Sequence, residues 1–191
     1  MISDIETAIL SLVEENLRYG YEIDKTIEKR NMRDWTEVAF SSIYYVLKKL
    51  EKRDFITSSV EEVSGKPSRK VYQITDAGGE ALREKLVFIL SNYEKVIDPF
   101  DLGINGLGRL TVEEIINALN NYIASVDEAI RLNRERRKNI EEAGYPFYIR
   151  GLATRSIAHL ESEKAWIKGF LREIVVNDES KNFGMKKHDK K

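Results

Sequence analysis

Apolar positions along the chain follow a helical spacing, then an alternating one, then a helical one again. Residues 4–15 set Ile5, Ala8, Ile9, Leu12 and Val13 three or four apart behind Ser3 and Asp4, which predicts a capped amphipathic helix. A second helix follows the "NLRYG" break, with Ile23 and Ile27 one turn apart. After a connector holding Trp35 and Val38, residues 41–54 predict a third helix whose apolar face is Ile43, Val46, Leu47 and Leu50. The period then changes. Residues 55–63 and 69–74 alternate like strands around a Ser-Gly-Lys-Pro-Ser turn. Thr75 caps a fourth helix carrying Leu82, Leu86, Ile89, Leu90, Tyr93 and Ile97, which Pro99 stops.

Residues 98–110 are rich in Gly and Pro and predict a hinge between domains. Beyond it Thr111 caps a long helix with Ile115, Leu119, Tyr122, Ile123, Val126 and Ile130 close to a 3.5-residue repeat. Gly144 and Pro146 mark a turn, and residues 153–176 predict a last helix with Ile157, Leu160, Ile167, Leu171 and Ile174 on one side. The expected organisation is therefore a domain over 1–97, a hinge over 98–110, a helical domain over 111–176 and a disordered basic tail over 177–191. Three helices followed by a hairpin is the order of a winged helix-turn-helix. In that fold the third helix enters the major groove of DNA and the strand turn reaches the neighbouring backbone. The fold class expected is mainly α with a two-stranded β wing, followed by a helical dimerisation domain.

Composition narrows the function. The 191 residues contain no cysteine, which removes disulfides, thiolate nucleophiles and cysteine-ligated metals. The two histidines stand apart without metal-ligand spacing, so neither a metal nor another cofactor is expected. The adjacent carboxylates Glu61-Glu62, Glu113-Glu114 and Glu141-Glu142 read as solvated faces, and GINGLG lacks the spacing of a phosphate-cradling loop. An enzyme is not expected. No apolar run is long enough for a membrane span and the opening residues lack a basic signal region, so a cytoplasmic location is expected.

Charge at first looks wrong for a nucleic-acid binder, since 31 basic residues face 32 acidic ones. The distribution changes that picture. Residues 48–70 carry seven basic side chains against four acidic ones, and the last eleven residues carry five lysines against one aspartate. The rest of the chain is acidic, and a local basic footprint on such a body still serves DNA binding. On the third helix Ser41, Tyr45, Lys48 and Lys52 point away from the apolar face, with Ser42, Tyr44 and Lys49 beside them. Around the hairpin turn Lys66, Arg69 and Lys70 form a stretch of one sign. Lysines there would position the helix on phosphates, while serine and tyrosine near its start would touch base edges.

The stretches "YGYEI", "FSSIYYVLKKLEKRDFI" and "SGKPSRKVYQITDAGGEAL" together resemble the winged-helix domain of PadR-family transcriptional regulators over residues 4–90. Residues 95–176 resemble the longer helical C-terminal half of one branch of that family. The resemblance implies a dimeric cytoplasmic regulator, in most members a repressor and often released by a small molecule. It carries DNA-contacting roles onto Tyr21, Ser42, Tyr44, Lys48, Lys49, Arg69 and Lys70. This sequence departs from the family pattern in three places. Tyr45-Val46 stands where many members have Pro-Ala, "NLRYG" replaces a Gly-Pro turn, and Asp54-Phe55 replaces a common Gly-Leu.

Two helices alone seldom bury enough core for independent stability, which points to a second copy of the chain as partner. The candidate dimerisation positions are Leu82, Leu86, Leu119, Ile123, Val126, Ile130, Leu160, Ile167 and Leu171. A homodimer would read double-stranded DNA at an inverted-repeat operator. Trp35, Tyr93, Tyr122, Trp166 and Phe170 are candidates to line a site for a small aromatic or apolar effector, although each equally suits a hydrophobic core. The alternative function is a protein-interaction adaptor that keeps the winged-helix scaffold without binding DNA.

Overall fold

A computed structural model of the chain describes residues 1–16, 18–34, 36, 40–62 and 68–179. Helix α1 spans Asp4–Glu14, capped by Ser3 in a reciprocal box with Glu6. Helix α2 spans Gly20–Lys29 and α3 spans Phe40–Lys52, with a single turn of 3₁₀ helix at Met32–Asp34 between them. Strands β1 (Ile56–Glu61) and β2 (Arg69–Ile74) pair antiparallel, with Ile56 opposite Ile74 and Glu61 opposite Arg69. Helix α4 spans Asp76–Ser91, its first turn capped by the Thr75 hydroxyl at 3.0 Å from the Gly78 amide. This is the winged-helix order, and the mainly α fold with a two-stranded wing matches the expectation from sequence.

The core of this first unit is built from the apolar faces read in the sequence. Ile9, Leu10 and Leu12 of α1, Ile23 and Ile27 of α2, and Ile43, Leu47 and Leu50 of α3 are all fully buried, and Ile56, Tyr72 and Leu82 close the base. Two tethers fix the wing to this base. The Tyr72 amide donates to the Arg18 carbonyl at 2.8 Å, binding β2 to the connector before α2. The Phe55 carbonyl accepts from the Thr75 amide at 3.1 Å, and a Cβ on Gly78 would lie 2.0 Å from that same oxygen. Only glycine fits there, which explains the Thr-x-x-Gly start of α4.

Helix α4 ends earlier than its apolar stripe predicts. The Ser91 hydroxyl and Asn92 amide bond back to the Val87 and Phe88 carbonyls at 2.7 and 2.8 Å, satisfying the last turn. Tyr93 and Ile97 therefore lie beyond the helix, and both are exposed.

The chain divides into two units, Met1–Lys95 and Val96–Lys191. In the second, the Gly- and Pro-rich segment expected as a hinge forms helix α5 (Pro99–Asn105) and a 3₁₀ turn at Leu107–Arg109. The reason is local: Asp98 caps the helix through the Phe100 amide and Pro99 occupies its first position, where the missing N–H costs nothing. Helix α6 (Val112–Glu142), capped by a Thr111–Glu114 box, is about 46 Å long at the ordinary helical rise. Gly144, at φ +68°, turns the chain into α7 (Phe147–Glu179), which starts a turn and a half before its expected position. The two helices run antiparallel, joined by Arg150–Glu141, Arg134–Glu161 and Lys164–Asp127 pairs. Ile115, Leu119, Ile167 and Ile174 form the core at the α5 end, with Phe100 and Leu107 packed on it.

Candidate nucleic-acid interface

Amphipathic packing decides which face of α3 is free. With Ile43, Val46, Leu47 and Leu50 turned inward, Tyr44 and Tyr45 remain 54% and 69% exposed, and Lys48, Lys49 and Lys52 are exposed beside them. Ser41 and Ser42 belong to the first turn of α3, but their side chains lie outside the described residues, as do Lys66 and Trp35. Tyr44 leans across the start of α2, where a Cβ on Gly20 would lie 2.6 Å from its ring. Glycine at this position lets α2 and the exposed face of α3 meet closely.

The basic side chains are not equivalent. Lys49 forms an ion pair at 3.2 Å with Glu6, a carboxylate that is almost wholly buried, and Arg53 pairs with the same oxygen at 3.1 Å. Burial pushes the Glu6 carboxyl upward, but the Ser3 amide at 2.7 Å and the Lys49 ammonium outweigh it and hold the pKa below the usual carboxylate range. Lys70 pairs with Glu51 at 2.8 Å, and Glu51 also accepts from the Ser58 hydroxyl. These hydrogen bonds from Lys70 and Ser58 lower the Glu51 pKa, and its carboxylate raises that of Lys70. Lys48 and Lys52 have no ion-pair partner among the described residues.

Arg69, at the stem of the wing, sits beside stacked aromatic rings. Tyr19 and Tyr21 lie with centroids 5.5 Å apart. The Arg69 guanidinium stands 5.8 and 5.5 Å from those centroids and donates from Nη1 to the Tyr21 hydroxyl at 3.3 Å. The Tyr19 hydroxyl donates to Glu61, and this acceptor raises the phenol pKa. Tyr21, Tyr44, Tyr45, Lys48, Lys52 and Arg69 are thus exposed or half-buried side chains of one unit, on α2, α3 and the wing stem. Tyr19 was not among the candidates, because its connection to Glu61 spans 42 residues.

A sequence profile of the transcriptional regulator PadR-like family matches residues 9–84. An uncharacterized protein of Lysinibacillus sphaericus is 32% identical over 103 residues, covering 54% of this chain and 90% of that protein. The chain belongs to the PadR-like family. It is a transcriptional regulator by family, and the winged helix is the family's DNA-binding fold. Among solved structures, Bacillus subtilis PadR in complex with operator DNA aligns with a TM-score of 0.74 at 22% identity, over 90% of this chain and 99% of that one. The same protein in complex with p-coumaric acid aligns at 0.73 and 21%, over 89% and 98%. At that identity these likenesses carry the fold, and they extend it through the helical second half.

The remaining PadR-type candidates lie in different places. Tyr122, Trp166 and Phe170 come together in the second unit around Phe100. Phe100 lies 4.7 Å from Tyr122 and 6.3 Å from Trp166, and Trp166 stacks on Phe170 at 5.0 Å. Tyr93 belongs to the first unit and is 90% exposed. Of the dimerisation candidates, Leu82 is buried in the winged-helix core, and Leu119, Val126, Ile130 and Ile167 are buried within the second unit, with Ile123, Leu160 and Leu171 half-buried. Leu86 is exposed on α4. Each carboxylate pair has at least one member with a structural partner: Glu114 caps α6, Glu61 accepts from Tyr19, and Glu141 and Glu142 pair with Arg150 and Lys138. No helix among the described residues is long and apolar enough to cross a membrane.

Proposed function

We propose that this PadR-family chain is a homodimeric regulator that binds a specific double-stranded DNA operator and represses transcription. The observation that carries the reading is the exposed polar face of α3, where Tyr44, Tyr45, Lys48 and Lys52 stand clear of the core beside the Arg69 wing stem. In this reading Lys48, Lys52 and Arg69 take phosphates. The α3 tyrosines, with Ser41 and Ser42 at the helix start, reach base edges. Tyr21 flanks them by holding Arg69. Lys49 and Lys70, already paired with Glu6 and Glu51, contribute less to affinity, and Lys66, which lies between the two strands in the sequence, adds to the basic footprint.

The homodimer is supported by apolar surface that one chain leaves uncovered. On α4 and just beyond it Leu86, Val87, Leu90, Tyr93 and Ile97 are exposed, more than an isolated regulator would leave in water. A second copy covers such surface and sets two winged helices on one inverted repeat. A small aromatic or apolar effector fits the Phe100, Tyr122, Trp166 and Phe170 cluster, and a PadR relative binds p-coumaric acid. Selection of bound sequences from a random duplex pool tests the proposal. The expected result is an inverted repeat whose half-sites lie about one helical turn, or a multiple of it, apart. A pool that returns unenriched would overturn it.

A further inference from the structure

Glu61 and Arg69 face each other directly across the wing stem as opposed residues of β1 and β2. Opposite charges at such a position ordinarily meet, because the side chains stand on one face within reach of each other. A carboxylate also matches the guanidinium fork as well as a phosphate does. Among the described residues no ion pair joins them. Glu61 is instead engaged by the Tyr19 hydroxyl, and Arg69 stands beside the stacked rings of Tyr19 and Tyr21. Arg69 spends one donor on the Tyr21 oxygen at 3.3 Å, and its other donors have no acceptor among the described residues.

We propose that Tyr19 is a positioning residue for DNA binding: its hydroxyl holds Glu61 away from Arg69, so that the guanidinium stays on the tyrosine rings, unneutralised and ready for a DNA phosphate. The inference rests on the DNA-binding reading above. The ring and the hydroxyl of Tyr19 have separate tasks. The ring stacks on Tyr21 and supports the guanidinium, while the hydroxyl occupies the carboxylate that would compete with DNA. Tyr19→Phe removes only the second task. Released from its partner, Glu61 then pairs with Arg69, and a phosphate must break that pair to bind.

The test is a salt titration of binding to the duplex that the wild-type protein selects from a random pool, using Tyr19→Phe, Glu61→Gln and the double variant. Tyr19→Phe is expected to bind several-fold more weakly near 0.1 M salt, roughly the effect of one lost phosphate contact. Its salt slope should fall by about 1 per subunit. Glu61→Gln in the same chain should restore both quantities. Tyr19→Phe with Glu62→Gln, which removes the neighbouring charge instead, should leave both low. A general gain from losing an acidic residue, or a general loss of folding, would not separate these two double variants. Wild-type behaviour of Tyr19→Phe, or failure of Glu61→Gln to rescue it, overturns the inference while leaving DNA binding intact. A wild-type protein that selects no duplex overturns the DNA-binding reading itself, and the role of Tyr19 with it.

Discussion

Glu6 shows how one residue separates neighbours that look alike. Its buried carboxylate takes Lys49 of α3, Arg53 just past the end of α3, and the amide of Ser3, the cap of its own helix, so it ties the first helix to the third. Its folded pKa is lowered, so its contribution is present above the unfolded carboxylate value near 4.5 and is lost as pH falls through the folded pKa. Urea melts as a function of pH should therefore show an acid limb that flattens in Glu6→Gln. Asp54 is a second such residue. It sits at φ +56°, a conformation that favours glycine, where many relatives of the resembling pattern place glycine. Asp54→Gly is expected to stabilise the protein by about 0.5–1 kcal/mol, read as a rise in Tm. Gly78→Ala should do the reverse, costing about 3 kcal/mol, because the new Cβ would meet the Phe55 carbonyl at 2.0 Å and backbone does not yield.

At the scale of elements, periodicity made the winged helix legible. The four residues assigned to the inner face of α3, Ile43, Val46, Leu47 and Leu50, are all buried, and the hairpin register follows from its alternating residues. Three features were hidden for identifiable reasons. Lys49 and Lys48 are adjacent, and only Glu6, far off in sequence, tells them apart. The start of α5 was written as Asp98-Pro99, a cap and a first-turn proline, but the glycines around it pointed to a hinge. The apolar stripe of α4 continued to Ile97, yet Ser91 and Asn92 closed the helix with side-chain bonds that periodicity does not register. The packing of α3 on α2 also carries a prediction. Gly20→Ala would push the Tyr44 ring, a flexible side chain, from its place 2.6 Å from the new Cβ. Duplex affinity should then fall while the Tm changes little; a large drop in Tm with unchanged affinity would contradict the role given to Tyr44.

For the whole molecule, near-neutral charge conceals an uneven arrangement. An acidic chain carries a basic α3 face and wing stem, and part of that basic charge is already paired internally with Glu6 and Glu51. In the proposed DNA-binding homodimer, such internal pairing limits indiscriminate adhesion and leaves affinity mainly to Lys48, Lys52 and Arg69 of each copy. The most direct test is the salt dependence of binding to the selected duplex for Lys48→Ala, Lys52→Ala and Lys49→Ala, measured side by side. The account predicts that the first two lower the salt slope by about 1 per subunit and weaken binding, whereas Lys49→Ala leaves the slope near wild type. Equal slopes for all three variants, or a loss confined to Lys49→Ala, would contradict it.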